Sequence, residues 1–215
     1  MYEQKTIAIA HIKEHATTYV FMIILFLTGI TFGAFIVNSM HFVQKQDLFF
    51  YLERFFGEFV TENSINRLEI LKGSFLYHVK YLLLIFILGL SVIGLPIVWI
   101  LLFLKGLVVG FTVGFLVNQL GIKGFLIASL SIAPQNLFII PVYLIAGSLS
   151  MIFSISLINK LFSRKISQQV FRPFGQYMVI FGILLIISFF AASVEAFVSN
   201  GAMQSFIKAY YSPSK

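Results

Sequence analysis

The sequence lacks cysteine altogether, has a single aspartate and carries few charges. The absence of cysteine excludes disulfides, thiolate metal sites and cysteine nucleophiles. Asp47 is the only aspartate and no Gly-x-Ser-x-Gly motif is present, so a Ser–His–Asp hydrolase triad has no anchor. Charged residues make up 11% of the chain, against about 25% in ordinary soluble domains. We therefore expect no enzyme activity, no catalytic residue and no bound cofactor.

Apolar residues are correspondingly abundant. They make up 59% of the 215 residues and include 26 phenylalanines, and the mean hydropathy is +0.96. A chain of this length cannot enclose so many large apolar side chains in one globule, so lipid must serve as its solvent. The basic residues that give the net charge of +7 are scattered between apolar stretches. That distribution favours contact with anionic membrane lipids and not with nucleic acid.

Long uncharged runs predict an all-α, polytopic membrane protein, because a membrane-spanning helix needs about 20 apolar residues. The fourth run is too long for one straight span and barely long enough for two. Splitting it would move four basic residues outside, against the positive-inside tendency, so five spans are favoured over six. The amino terminus is then cytoplasmic and the carboxyl terminus external. We predict one membrane domain over residues 1–215, an external loop over 38–80, and spans near 17–37, 81–104, 106–122, 124–159 and 173–194.

Proline and glycine interrupt two of these runs. Gly94 and Pro96 break the second, while Pro134 and Pro141 break the fourth. A helix starting near Pro134 would leave Gly124 to Ile132 as a short re-entrant or interfacial segment.

Paired broken helices mark the binding site in many transporters. However, Lys105 and Glu195 are expected at span edges, so no charge is predicted inside a span. The adjacent amides Gln135 and Asn136 are then expected to hydrogen-bond between helices. A substrate site or a partner contact at these amides remains open.

Gly106, Gly110 and Gly114 recur every four residues within an apolar run. That spacing puts three glycines on one helix face, where a second helix backbone can approach closely. We therefore interpret them as packing residues and not as a phosphate-binding loop.

The external loop contains an amphipathic helical pattern that starts at Asp47. Its apolar positions recur at helical spacing and include Phe55, Phe56 and Phe59. Such a helix either rests among lipid headgroups or docks a partner, and these three phenylalanines are the candidate docking face.

His11-Ile-Lys-Glu-His15 has the His-x-x-Glu-His order of inverted zinc metallopeptidases. A zinc site needs a further protein ligand, and the remaining histidines, His41 and His78, are both predicted to lie in the external loop. We therefore interpret the motif as part of a polar helix beside the membrane, with no metal. An amino-terminal signal peptide is also disfavoured, because the first apolar run is too long and no Ala-x-Ala site follows it.

Three segments together resemble the stage II sporulation protein M family. They are Leu88 to Ile97, Phe103 to Phe115, and Ala133 to Pro141 with Ile145-Ala-Gly147, and the likeness covers essentially the whole chain. The wider family carries Pro-His-Gly and an acidic residue three positions on, where this chain has Pro134-Gln135-Asn136 and Ile139. Any role of the family's histidine and acidic residue is therefore not assigned to Gln135 or Ile139 in this chain.

The resemblance implies a membrane scaffold that acts in engulfment during endospore formation. It implies enrichment at the septum and a complex with two peptidoglycan-degrading enzymes, stage II sporulation proteins D and P. Self-association is left open. The alternative from another class is a small-solute permease or channel subunit with a pocket at the broken helices.

Overall fold

The computed structural model describes residues 12–61, 67–91, 93–162, 171–199 and 201. Within these residues the chain is helical and contains no strand. The all-α prediction is therefore confirmed. In chain order the elements are α1 (Ala16–Ser39), α2 (Phe42–Thr61), α3 (Arg67–Gly89), α4 (Gly94–Leu120), α5 (Ile122–Ser131), α6 (Ala133–Phe162), α7 (Phe171–Val194) and a π-helical turn (Glu195–Ser199).

Five of the helices are long and apolar enough to cross a membrane. The prediction of about five spans is thus confirmed, while α2 is amphipathic and α5 has only 10 residues. The five candidate spans are Ala16–Ser39, Arg67–Gly89, Gly94–Leu120, Ala133–Asn159 and Pro173–Phe197.

The predicted bounds of the second and third spans, 81–104 and 106–122, are wrong. The second span begins at Arg67 and ends at Gly89, and the third runs from Gly94 to Leu120 with Lys105 near its middle. Reading every charge as a span boundary caused the error, because a lysine can stay inside a span when protein groups surround it. The connection between α1 and α3 is shorter than the predicted 38–80 loop for the same reason.

Gly94 and Pro96 lie at the start of α4, directly after its connection to α3, and they do not break a span. Gly94 is the first residue of α4, and a Cβ there would lie 2.7 Å from the Leu88 carbonyl carbon. Pro96 falls in the first turn of α4, where a missing N–H costs no intrahelical hydrogen bond.

The long fourth run contains two helices. Gly121, with a φ of 58°, ends α4, and the short helix α5 follows directly. α6 then begins at Ala133 with Pro134 as its second residue, and Pro141 lies inside it. The structure therefore has a short helix and then a full span where the sequence predicts a short segment and a helix start.

α1 and α4 pack with their backbones in contact, and glycines from both helices line the contact. A Cβ at Gly33 would lie 2.7 Å from the Phe111 nitrogen. From the other side, a Cβ at Gly110 would lie 2.7 Å from the Ile30 carbonyl carbon. Gly106 and Gly114 face α1 as well, with Cβ positions 3.2 Å from the Ile30 nitrogen and 3.3 Å from the Ala34 Cα. No side chain larger than hydrogen fits at Gly33 or Gly110 without parting the helices.

α6 lies at the centre of the bundle. In its most apolar stretch 56% of the residues are buried, against 33% or less in the other four candidate spans. It contacts α1, α3, α4 and α7, and Tyr143, Ala146, Ser148 and Ser150 on it are fully buried. Groups on α6 are therefore placed to meet side chains from several other spans.

Candidate functional site

Six side chains from four elements form a cluster within the candidate spans, which we call the polar cluster. Glu195 is its acidic member and stands at the start of the π-helical turn, while Lys105 of α4 is its basic member. The other four are Ser74 and His78 of α3 and Gln135 and Tyr143 of α6.

The Glu195 carboxylate joins the π-helical turn to α3 and α6. The Ser74 hydroxyl donates a hydrogen bond to Glu195 Oε2. The Gln135 side chain, with its NH₂ group turned toward Glu195, donates to both carboxylate oxygens and lies 3.2 Å from Oε1. Charge-assisted hydrogen bonds of this kind are stronger than neutral ones, so Glu195 is a strong attachment point for the end of the last span.

His78 continues the same network toward the bundle centre. Its Nε2 lies 3.3 Å from Ser74 Oγ, and its Nδ1 lies 2.6 Å from the Tyr143 hydroxyl. The side chain is 5% exposed, so both ring nitrogens find their partners within the protein. Ser74 and His78 are four residues apart and share one face of α3, which allows both to reach the cluster.

Three tyrosine rings surround the Lys105 ammonium group. Its Nζ lies 4.9 Å from the Tyr77 ring centroid, 5.2 Å from that of Tyr143 and 6.0 Å from that of Tyr81. Cation–π attraction of this kind gains strength away from water. Lys105 also interacts electrostatically with Glu195. Both effects explain how a lysine stays in the middle of α4.

The polar cluster contradicts the expectation that the spans carry no charge. Lys105 is internal to α4, and the candidate last span continues past Glu195 to Phe197. The sequence did contain a signal for the site, since Ser74, His78 and Tyr81 follow at helical spacing and form one polar stripe on α3. That Lys105 and Glu195 meet this stripe depends on how the helices pack.

The Ser74–His78 pair resembles a nucleophile with its base, but its hydrogen bonds differ from those of a catalytic triad. A serine nucleophile gives its proton to the imidazole, whereas the Ser74 hydroxyl donates to Glu195. The second ring nitrogen of His78 meets a tyrosine hydroxyl and not a carboxylate. These contacts join α3 to α6 and to the π-helical turn.

A second, smaller group of polar side chains lies elsewhere in the bundle. Ser150 Oγ donates to the Ile85 carbonyl at 2.8 Å and lies 2.9 Å from the Tyr177 hydroxyl. That hydroxyl is 3.2 Å from the Phe86 carbonyl, and the Tyr177 ring stacks on Phe153 at 4.5 Å. These contacts tie α3, α6 and α7 together.

Replacing Tyr177 by phenylalanine is expected to lower the free energy of unfolding by about 1 kcal/mol, because the hydroxyl is lost while the ring stacking remains. The control is Tyr51→Phe on α2, where the tyrosine is 72% exposed and no change is expected. Thermal unfolding of both variants in detergent measures the difference. Equal melting temperatures for the two variants would contradict the structural role of the Tyr177 hydroxyl.

The two amides predicted to hydrogen-bond between helices have different surroundings, and the bond described for Asn136 is local. Gln135 reaches Glu195, whereas the Asn136 Nδ2 donates to the Ile132 carbonyl at 2.8 Å within its own chain segment. Asn136 also lines a cavity of about 510 Å³ between α4, α5 and α6, together with Ser129 and mainly apolar residues that include Pro141. The cavity is partly open, and none of its lining residues belongs to the polar cluster.

Two sets of predicted residues fall outside what the structure describes. The backbone of Phe55, Phe56 and Phe59 belongs to α2, but their side chains are not described. His11 of the His-x-x-Glu-His motif also lies outside the described residues, so the structure does not bear on that motif.

The comparisons with known proteins gave one match. No curated protein and no solved structure matches the chain. The family model for stage II sporulation protein M matches residues 22–200. This range includes most of the first candidate span, the other four candidate spans and every member of the polar cluster. The chain belongs to the stage II sporulation protein M family.

Proposed function

We propose that this sporulation membrane protein is a non-enzymatic scaffold that anchors peptidoglycan-degrading enzymes at the septum during engulfment. Family membership over residues 22–200 carries the proposal. The proposed partners are stage II sporulation proteins D and P, in keeping with the resemblance of the sequence. A polar cluster whose groups bond to one another supports a structural role, since such networks fix one arrangement of helices.

The proposed orientation has the amino terminus in the cytoplasm and the carboxyl terminus outside. Four basic residues stand at the end of α6, the start of α7 and between them, and cytoplasmic connections are usually the basic ones. This arrangement puts α2 on the external side, where wall-degrading enzymes act. The four residues are Lys160, Arg164, Lys165 and Arg172.

α2 is the element best suited to meet such a partner. Leu48, Phe49 and Leu52 are half-buried on one side, and Leu52 packs against the cluster that α4 and α5 form. By contrast, Val43 is 65% exposed and Phe50 57% exposed. α2 therefore lies on the bundle through a small contact and leaves apolar side chains uncovered.

Phe55, Phe56 and Phe59 are proposed to help recruit the partner. Changing all three to serine is expected to reduce the peptidoglycan-degrading activity that co-purifies with the protein by about tenfold or more. The reason is that a few apolar contact residues usually supply most of the binding free energy of an interface. The control is Ile93→Ser, because Ile93 is 83% exposed between α3 and α4, on the cytoplasmic side in the proposed orientation. Normal co-purification from the triple variant, at equal expression, would rule out this face as the docking site.

The presence of Lys105 and Glu195 inside spans is one observation that favours the permease alternative, and the cavity beside Asn136 and Pro141 is another. Intramembrane charges mark transport paths in many membrane proteins. The bonds from Ser74 and Gln135 to Glu195 favour the scaffold instead, because they occupy the acceptor atoms that a solute would need. Solute or ion flux into vesicles that contain the purified protein, abolished by Glu195→Gln, would favour the permease.

A further inference from the structure

One hydrogen-bond chain runs through the polar cluster and connects three elements. It passes from Tyr143 of α6 to His78 and Ser74 of α3 and ends at Glu195 in the π-helical turn. Each hydroxyl has a single proton to donate, and a neutral imidazole has a single N–H. The position of every proton in the chain is therefore fixed once the state of Glu195 is known.

An ionised Glu195 agrees with all its neighbours. The Ser74 hydroxyl donates to the carboxylate, and Lys105 supplies a positive charge nearby. A carboxylate accepts hydrogen bonds and does not donate. The Gln135 amide adjoins the same carboxylate, and an ionised Glu195 accepts from its NH₂ group.

The donors then follow in one direction. Because the Ser74 proton goes to Glu195, Ser74 Oγ has to accept from His78 Nε2–H. Nδ1 of the neutral ring is then an acceptor, and the Tyr143 hydroxyl donates to it across 2.6 Å. The His78 imidazole thus links Tyr143 of the buried span α6, through Ser74, to Glu195 at the end of the last span.

We propose that this chain is a clasp that holds the π-helical turn against α3, with His78 as the neutral Nε2–H tautomer. π-Helical turns are rare and occur often at functional sites. The turn is the segment where the chain leaves the α-helical last span, and on it Ala196 is 1% exposed and Ser199 2% exposed. Arg67 over the Phe197 ring, at 6.0 Å, is a further contact between α3 and the turn.

The tautomer is measured by ¹⁵N NMR of histidine-labelled protein in nanodiscs, with His78→Gln identifying the His78 signals among the four histidines. The clasp predicts a protonated Nε2 and an unprotonated Nδ1 near neutral pH. A protonated Nδ1 with a bare Nε2 would reverse the donors and overturn the proposal.

Release of the turn is measured by cysteine labelling, which the cysteine-free sequence makes specific. A Ser199→Cys variant in nanodiscs is expected to react slowly with a water-soluble maleimide. Adding Ser74→Ala is expected to raise that rate about tenfold or more, because the Glu195 carboxylate loses a charge-assisted hydrogen bond. Phe197→Cys, at a side chain that is 50% exposed, reports reagent access.

The matched control for Ser74→Ala is Ser193→Ala. Ser193 Oγ donates at 2.9 Å to the Phe189 carbonyl of its own helix, so its loss leaves the clasp intact. Equal labelling rates at residue 199 in the two serine variants would overturn the clasp, and the tautomer measurement decides the question if the Ser74 variant does not fold.

Discussion

Replacing Gly110 by valine is expected to separate α1 from α4 and to lower the free energy of unfolding by about 3 kcal/mol or more. A Cβ at Gly110 would meet the Ile30 backbone, which cannot move aside as a flexible side chain would. For a chain of this size the corresponding fall in melting temperature is roughly 6–12 °C. Thermal unfolding of the purified protein in detergent or nanodiscs measures it.

Gly182→Val is the matched control for this substitution. Gly182 lies in a candidate span, and a Cβ there would meet nothing within 4 Å. The control also replaces a helical glycine by valine, but the new side chain does not clash with another helix. Its melting temperature should therefore stay near that of the parent protein. A Gly110 variant as stable as the Gly182 variant would contradict the close packing of α1 on α4.

Neutralising either charge of the polar cluster is expected to destabilise the bundle strongly. Lys105→Met removes the positive charge that interacts with Glu195, and Glu195→Gln removes the negative charge that interacts with Lys105. Removing one partner of a buried charge pair typically costs about 3–5 kcal/mol. Each single variant should therefore unfold at a clearly lower temperature than the parent protein.

The double variant with Lys105→Met and Glu195→Gln should recover much of this loss, because neither charge is then left alone. Glu69→Gln on the exposed side of α3 is the control for a change of charge without a buried partner. If the two single effects simply add in the double variant, Lys105 and Glu195 do not act as a pair.

The sequence predicts the fold class well because the relevant signal is local. Long apolar runs report lipid-facing helices whatever their neighbours are. The length of the fourth run and the position of Pro134 likewise identify a short helix before a full span, which the structure contains as α5 and α6. Each of these inferences depends only on residues that are adjacent in the chain.

The polar cluster could not be predicted in the same way, because its members come from four elements. From the local sequence, Lys105 is predicted to lie in a loop. The rings of Tyr77 and Tyr143 come close to it only because α3 and α6 pack against α4. Glu195 reads as the end of the last span. Its hydrogen-bond partner Ser74 is 121 positions away in the chain.

The structure also changes how the rival functions compare. Intramembrane charge was the feature expected to separate a permease from a scaffold, and Lys105 and Glu195 provide it. Their partners are protein groups, namely the tyrosine rings around Lys105 and the donors around Glu195. Charges used in this way hold spans together, as the scaffold proposal requires.

The scaffold is tested most directly by purifying the intact, affinity-tagged protein from sporulating and from growing cells and assaying each eluate on purified peptidoglycan. We expect peptidoglycan-degrading activity to elute with the protein from sporulating cells and to be absent from the growing-cell sample. An eluate from sporulating cells without such activity, from protein that is folded and intact, would contradict the proposed anchoring role.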